Sequence, residues 1–315
     1  MIDLDQLGSG ARNFLTGRIY CGAVGMGNLF EPLKKSARSD PPVAAYHVLL
    51  TEPWRRLHGN APFSMPLHEQ WTARLSALAW RRYNGPIHLF TDRQGKAYFR
   101  EKGLDSVYDS VRDDLWDTYG LDQRKFWASG KLLALQKLTV PCLIIDMDLI
   151  VWDRLPLEGA ALAAAHIEHL NEKFYPDVDY FLMSPRYQFP KKWDYGTKPL
   201  NTSILYLADE RLKDEYLCQA FDFMRYERDT PDNGSNCMIF AEQRILAMCA
   251  AKLGIRAKTF LDYDNLQAPQ RLITHTWSGK RLLTRFKDVE NVFAACCQEK
   301  CGQLEAEIWN MAGRK

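Results

Sequence analysis

A chain of 315 residues, 46% apolar and 25% charged, is long enough to bury a large core and has the makeup of an ordinary globular protein. With 41 basic residues against 39 acidic ones the formal net charge is +2, which excludes polyanion binding as the main role of the surface, so no nucleic-acid partner is expected. No apolar stretch approaches the roughly 18 residues needed to span a bilayer, and the acidic start Met1-Ile2-Asp3-Leu4-Asp5 is not a secretory signal. A cytoplasmic chain is the expectation, with peripheral contact with a membrane enzyme complex left open.

Residues 1–43 are glycine-rich and irregular and end in Ser39-Asp40-Pro41-Pro42. The run Gly22-Ala23-Val24-Gly25-Met26-Gly27 has GxxGxG spacing rather than GxGxxG, and no clear helix follows it before the prolines, so it reads as a loop or N-terminal arm. Ordered patterning starts at Val43. Ala45 to Leu50 reads as a first buried strand, closed by Thr51-Glu52-Pro53. Leu67 to Tyr83 has apolar positions at helical spacing and is stopped by Asn84-Gly85-Pro86. Ile87 to Asp92 is a second strand, Arg93 to Lys102 a helix, Ser106-Val107-Tyr108 a short third strand, and Arg124 to Leu138 a helix. Strands alternating with helices predict an α/β fold with a doubly wound, mostly parallel sheet.

Next comes Cys142-Leu143-Ile144-Ile145-Asp146-Met147-Asp148-Leu149-Ile150-Val151-Trp152, an apolar run interrupted by two aspartates one residue apart. A strand buried on both faces does not carry carboxylates without a reason, and a cation at the strand's end is the usual one. Two hard oxygen ligands, Asp146 and Asp148, suit Mn2+ or Mg2+. In doubly wound sheets ligands bind beyond the carboxyl ends of strands, which also places Thr51 and Asp92, at the ends of the first two strands, near such a ligand. Lys131 and Lys280 are candidates for point charges on a diphosphate.

After Pro156 the chain is alanine-rich, then rich in aromatics and prolines through Phe174-Tyr175-Pro176 and Phe189-Pro190-Lys191-Lys192-Trp193. Exposed aromatics beside a catalytic sheet suit the apolar faces of a sugar, and loop packing explains them equally well. Asn201 to Leu207 returns to strand pattern, a long helix follows to about Arg228, Asn236 to Leu253 is another helix, and Phe260-Leu261 is a short strand. Of the eight cysteines, Cys142 and Cys249 read as buried apolar residues, and Cys296-Cys297-x3-Cys301 lacks the histidine or second pair of a zinc site. Free thiols in a reducing compartment are expected.

The order apolar strand, Asp146-x-Asp148, Asn201-Thr202-Ser203-Ile204-Leu205, Glu242-Gln243 and His275-Thr276-Trp277-Ser278-Gly279-Lys280 resembles the nucleotide-diphospho-sugar glycosyltransferases of the A-type, Rossmann-like fold, in particular family 8-like members and uncharacterised bacterial ones. The resemblance covers roughly residues 44–285, and implies an arm over 1–43, a catalytic domain over 44–285 with an acceptor-side insertion, and a helical tail over 286–315. It implies a metal held by Asp146, Asp148 and His275, catalytic roles for Asn201, Glu242 and Gln243, and Thr51, Asp92, Lys131 and Lys280 near the donor. The family's HxxGxxK stands here as HxxGxK, which makes His275 the firmer match and Lys280 the weaker. The implied activity is a hexosyltransferase, taking a nucleotide-sugar donor (a UDP-sugar by analogy) and a glycan or glycolipid acceptor, in polysaccharide biosynthesis.

Two rivals stay open. A haloacid-dehalogenase-type phosphatase also carries an apolar strand ending in DxD, with Asp146 as nucleophile and Asp262-x-Asp264 as a late metal pair, although that motif normally opens its domain. An inactive A-type fold serving as a binding subunit is the other. Residue by residue, plainer roles exist too. Asp146 and Asp148 suit a turn cap, Asn201 a turn former, Lys131 and Glu242 a solvated helix face, and His275 a polar loop. His166-x2-His169 with Glu168 has metal-like spacing but reads as surface helix.

Overall fold

The computed structural model describes residues 7–34, 41–59, 61–231 and 234–312; the acidic start Met1 to Asp5 and the Ser39-Asp40 pair lie outside them. In chain order the elements are α1 (Ser9–Leu15), β1 (Ala45–Leu49), α2 (Glu52–Leu57), α3 (Leu67–Tyr83), β2 (Ile87–Thr91), α4 (Arg93–Glu101), β3 (Ser110–Arg112), α5 (Ser129–Leu135), β4 (Cys142–Ile145), β5 (Leu149–Val151), β6 (Leu162–Ala164), β7 (Ile204–Leu207), α6 (Glu210–Tyr226), α7 (Asn236–Ile239), α8 (Ile245–Lys252), β8 (Ala257–Thr259), β9 (Ile273–His275), α9 (Lys280–Arg285) and α10 (Lys287–Ala312). A seven-stranded sheet has the order β3-β2-β1-β4-β7-β6-β8, and β5 with β9 forms a separate antiparallel ribbon. In the large sheet only β7 runs against its neighbours, β4 and β6; the remaining pairings are parallel.

Helices cover both faces, as a doubly wound sheet requires. Along β4, Leu143 and Ile145 point into one core, shared with α3, α4, α10 and the segment around Phe14 and Val24. Cys142 and Ile144 point into the other, shared with α5, α6 and α8. Each of these apolar side chains is essentially buried, and burial of one such residue stabilises by about 1.5–3 kcal/mol. A one-residue slip would exchange the two faces, so packing fixes the point at which the chain leaves the core, and that point is Asp146. On one face α10 lies along α3, tied by a buried pair in which His68 Nδ1 is 2.6 Å from Glu290 Oε1.

Several elements differ from the sequence expectation. Asp105–Val107 is a turn of 3-10 helix, and the third strand starts later, at Ser110. The helix expected over Arg124 to Leu138 is confined to α5, because Asp122 folds the chain into a turn: its carboxylate accepts from Arg124 N and its carbonyl from Phe126 N. The last strand before the ribbon is Ala257–Thr259, and both Phe260 N and Leu261 N then donate to Ala165 O. β6 lies in the alanine-rich stretch, where small residues give little strand signal. His166 to His169 is extended rather than helical: Ile167 bridges Leu200, and His166 and Glu168 are buried. Among the aromatics after Pro156, Tyr175 and Trp193 are buried and Phe189 packs on Phe223 and Phe240, so loop packing explains most of them; Phe174 is exposed.

Candidate functional site

The turn that joins β4 to β5 builds the centre. Leu149 N donates to Asp146 O at 3.0 Å, closing a four-residue turn, and Asp146 N donates to Ser203 O of the antiparallel neighbour at 2.8 Å. Both aspartates therefore do sit on a turn, as the plainer reading has it, and the turn presents them together. From the other side β9 delivers His275, which pairs across the ribbon with Leu149. The ligand atoms of Asp146, Asp148 and His275 lie within 4.8 Å of one another, and His275 Nε2 is 3.5 Å from Asp148 Oδ1. Among the described residues this is the one group of three acidic, histidine or cysteine side chains arranged to hold a metal ion. Two carboxylate oxygens and one imidazole nitrogen form a hard-to-borderline donor set that fits Mn2+ or Mg2+.

Two lysines serve this centre. Lys131 is not a solvated helix lysine: its ammonium lies between Asp146 Oδ1 at 2.6 Å and Glu242 Oε1 at 2.8 Å and also donates to Thr202 O at 3.2 Å. Burial alone would lower its pKa, but Asp146 and then Glu242 outweigh that and raise it. Lys280, at the start of α9, lies 3.1 Å from Asp148 Oδ2. Burial by itself would raise the Asp148 carboxyl; Lys280 and then His275 overcome it and hold it well below the usual carboxylate range. Thr276 Oγ1 adds a hydrogen bond to Asp148 Oδ2 at 3.2 Å.

Glu242 and Gln243 lie in a π turn, Phe240–Arg244, between α7 and α8. Such bulges re-aim side chains and recur at functional sites. Glu242 is buried, not solvated, and accepts from Thr202 Oγ1 at 2.7 Å. Gln243 Oε1 accepts from Tyr175 Oη at 2.6 Å. Asn201 makes the turn its plainer reading predicts, its Oδ1 accepting from Ser203 N and Oγ, while its Nδ2 donates to Glu168 Oε1 at 2.9 Å.

Thr51 and Asp92 stand apart from this cluster. Asp92 Oδ2 accepts from Thr51 N and Oγ1 at 2.7 and 2.8 Å, and its Oδ1 caps α4 by accepting from Gly95 N. Both residues line an open cavity of about 1110 Å3 at the ends of β1 and β2, together with Arg55, Arg93, Arg124 and the exposed Trp116.

Glu168, read from the sequence as part of a surface helix, and Tyr175, one of the aromatics after Pro156, bond to Asn201 and Gln243, and Trp277, to which the sequence assigns no role, lies against His275. Strand alternation in Ala165-His166-Ile167-Glu168 would have put His166 and Glu168 on one side of an extended chain. Burial raises the Glu168 carboxyl, and burial followed by His275 lowers His166 to about 4. Trp277 stacks on His275, ring centroids 5.9 Å apart with the ring planes nearly parallel, and takes a left-handed φ of 39°. A bulky residue held in that region marks a place where the surroundings overrule backbone preference. Asp262 and Asp264, the late pair a phosphatase would need, are not gathered with Asp146: Asp262 caps a 3-10 turn and Asp264 pairs with the exposed His169 at 2.7 Å.

Fold and centre together define an α/β protein with a candidate divalent-cation site at the carboxyl edge of its central strand. The chain belongs to DUF6734, a family of unknown function whose model matches residues 55–280. No curated protein matches the sequence. Among solved structures the chain is similar to glycosyltransferase GlyE of Streptococcus pneumoniae TIGR4 in its apo form, at 15% identity over 63% of this chain and 42% of that one with a TM-score of 0.35. A further GlyE structure gives 14% identity over 70% and 45%, TM-score 0.37. Mouse xyloside xylosyltransferase 1, apo form, gives 13% over 73% and 94%, TM-score 0.35. The chain thus spans less than half of GlyE. Among the described residues no helix is long and apolar enough to cross a membrane.

Proposed function

We propose that this chain is a metal-dependent glycosyltransferase of the A-type fold, family 8-like, that moves a hexose from a nucleoside diphosphate sugar to a glycan or glycolipid acceptor in polysaccharide biosynthesis. The observation that carries this reading is the convergence of Asp146, Asp148 and His275 at the carboxyl edge of β4, with a lysine bonded to each aspartate. Three acids (Asp146, Asp148, Glu242) face two ammonium groups (Lys131, Lys280), a formal balance one charge short of neutral. That is the electrostatic setting a divalent ion and a diphosphate would complete. When bound there, the ion would offset the charge that builds on the departing diphosphate.

The chain's own residues have distinct tasks in this scheme. Lys280, whose side chain is 39% exposed, presents a positive charge to the phosphates, while the largely enclosed Lys131 fixes Asp146 and Glu242 relative to each other. Asn201, Glu168, Gln243 and Tyr175 offer donors and acceptors to sugar hydroxyls. The cavity beyond Thr51 and Asp92 takes the nucleoside, uridine by resemblance, with Trp116 as a stacking surface. Thr51 and Asp92, bonded to each other at the floor of that cavity, are the donor-side contacts in this scheme. Retention of stereochemistry follows from the same resemblance. The catalytic unit is proposed to span 44–285, with the arm before it and the tail helix after it sharing its core.

One observation favours a second reading, a binding subunit without turnover: each aspartate already pairs with a lysine, which holds both side chains in place by itself. Activity separates the two. Asp148→Ala is expected to abolish donor turnover with an unchanged far-ultraviolet spectrum, and chelation is expected to abolish it until Mn2+ is restored. Full activity in chelator contradicts the transferase proposed here. Hydrolysis of simple phosphate esters, with no response to nucleotide-sugars, points to the phosphatase instead.

A further inference from the structure

The segment Tyr20 to Leu29 lies outside the stretch that matches the family, yet it forms the outer edge of the ribbon that carries His275. Both main-chain hydrogen bonds of His275 go to one residue of this segment: Val24 N donates to His275 O at 2.8 Å and His275 N donates to Val24 O at 2.9 Å. Contacts continue on either side. Gly22 O accepts from Gly279 N at 3.0 Å and from Ser278 Oγ at 3.2 Å, directly before Lys280. Gly25 O accepts from Thr274 Oγ1 at 2.6 Å, and Asn28 Nδ2 donates to Gln270 O at 2.8 Å and contacts Thr274 Oγ1 at 3.2 Å.

The fit leaves no slack. Gly25 has φ +62°, and a Cβ there would lie 2.0 Å from Ile273 O; Gly22 has φ +73°, and a Cβ would lie 1.8 Å from Ser278 Oγ. Only glycine combines that backbone with so close an approach. The strap is anchored by Val24, Met26 and Leu29, all buried in the core shared with α3 and α10. On its other side the ribbon is fixed by Thr276 N donating to Asp148 O at 3.1 Å. His275 is thus clamped between the turn that bears Asp148 and a strap that comes from the start of the chain.

We infer that the strap is a positioning element of the cation centre: by holding the His275 main chain, it sets how tightly the centre binds a divalent ion. This rests on the metal reading above. Supporting groups that orient a ligand commonly change metal affinity by about 10–100-fold when removed.

The test titrates Mn2+ into the full chain by calorimetry or by the paramagnetic signal of free Mn2+, with the melting temperature in chelator measured alongside. Gly25→Ala is expected to weaken Mn2+ binding at least tenfold, and Asn28→Ala, a milder change that keeps the backbone unstrained, at least threefold. Asn28→Ala should melt in chelator within a few degrees of the parent, and Gly25→Ala, which strains the backbone, lower but still folded at the temperature of the titration. In a His275→Ala background the same strap changes are expected to make no further difference, because the strap acts through that histidine. Mn2+ affinity within twofold of the parent for both strap variants overturns the inference and leaves the metal reading standing. So does a strap effect of undiminished size once His275 is gone. If Gly25→Ala does not fold, Asn28→Ala alone decides by the same thresholds. A parent chain that binds no Mn2+ sinks the metal reading, and the inference with it.

Discussion

Lys131 shows what a single residue contributes here. Among the described residues its ammonium is the cation paired with both Asp146 and Glu242, and Glu242 is almost fully buried. Removing one partner of a buried ion pair leaves the other charge without compensation, at a cost of about 3–5 kcal/mol. Because Asp146 is 27% exposed and water screens it, the lower end applies. Lys131→Met is therefore expected to destabilise by about 3 kcal/mol in urea unfolding, and Lys131→Met with Glu242→Gln to recover part of that loss. Equal loss in both variants would show that Glu242 is not the group left stranded. A different residue contributes to the acid limb of stability. His47 is buried, with Nδ1 2.8 Å from Tyr108 Oη and Nε2 3.1 Å from Ser76 Oγ, and burial lowers its pKa to about 3. The folded chain keeps His47 neutral while the unfolded chain protonates it near the ordinary value of about 6.5. The stability it contributes is therefore complete above pH 6.5 and is lost as pH falls towards 3, at about 1.4 kcal/mol per pH unit. Against His47→Gln, the parent should lose stability more steeply between pH 6 and 4.5; parallel curves would show that His47 is not the group that titrates.

At the scale of elements, legibility followed the size of the apolar side chains. β1, β2 and β4 are runs of mostly large apolar residues, β4 buried on both faces, and their sequence alone gives strand, end and the exit of Asp146. β6 is Leu162-Ala163-Ala164, and alanine announces neither strand nor helix, so the strand beside β7 and the extended Glu168 after it stayed hidden. The alternation His166, Glu168 is visible in the sequence, but two histidines at helical spacing masked it. The π turn at Glu242 was equally illegible, since one extra residue in a helix leaves the apolar pattern nearly intact. β6 also offers a test of what limits this part of the sheet. Ala164 is fully buried against the core of α5 and α6. Valine has the higher strand propensity, a difference within a scale of about 1 kcal/mol, whereas overpacking a filled core costs about 1–3 kcal/mol. Ala164→Val is expected to lower the urea midpoint; a raised midpoint would mean that propensity, not packing, governs β6.

The whole molecule explains why the centre lies where it does. Parallel strands β1, β2 and β4 point their carboxyl ends to one edge, and β7 arrives there from the opposite direction to supply Asn201, Thr202 and Ser203 just before it begins. A residue far along the chain, His275, enters on a ribbon outside that sheet, and segments from both ends of the chain hold the ribbon and α3 in place. The acidic pair and its candidacy as a cation ligand set were readable from sequence because carboxylates in an apolar strand need a cause. Tertiary support for His275 was not, because it comes from about 250 residues away through main-chain bonds that carry no side-chain signature. What the architecture predicts as a unit is coupling: donor and ion should bind together or weakly alone.

Thermal unfolding of the parent and of Asp148→Ala, with and without Mn2+ and a UDP-sugar, tests that coupling most directly. A ligand at a hundred times its dissociation constant stabilises by about 2.7 kcal/mol, which for a chain of this size is a rise of several degrees. The account predicts that rise for the parent only when Mn2+ and the nucleotide-sugar are present together, and none for Asp148→Ala. An equal rise with the nucleotide-sugar in chelator, or the same rise in Asp148→Ala, would contradict it.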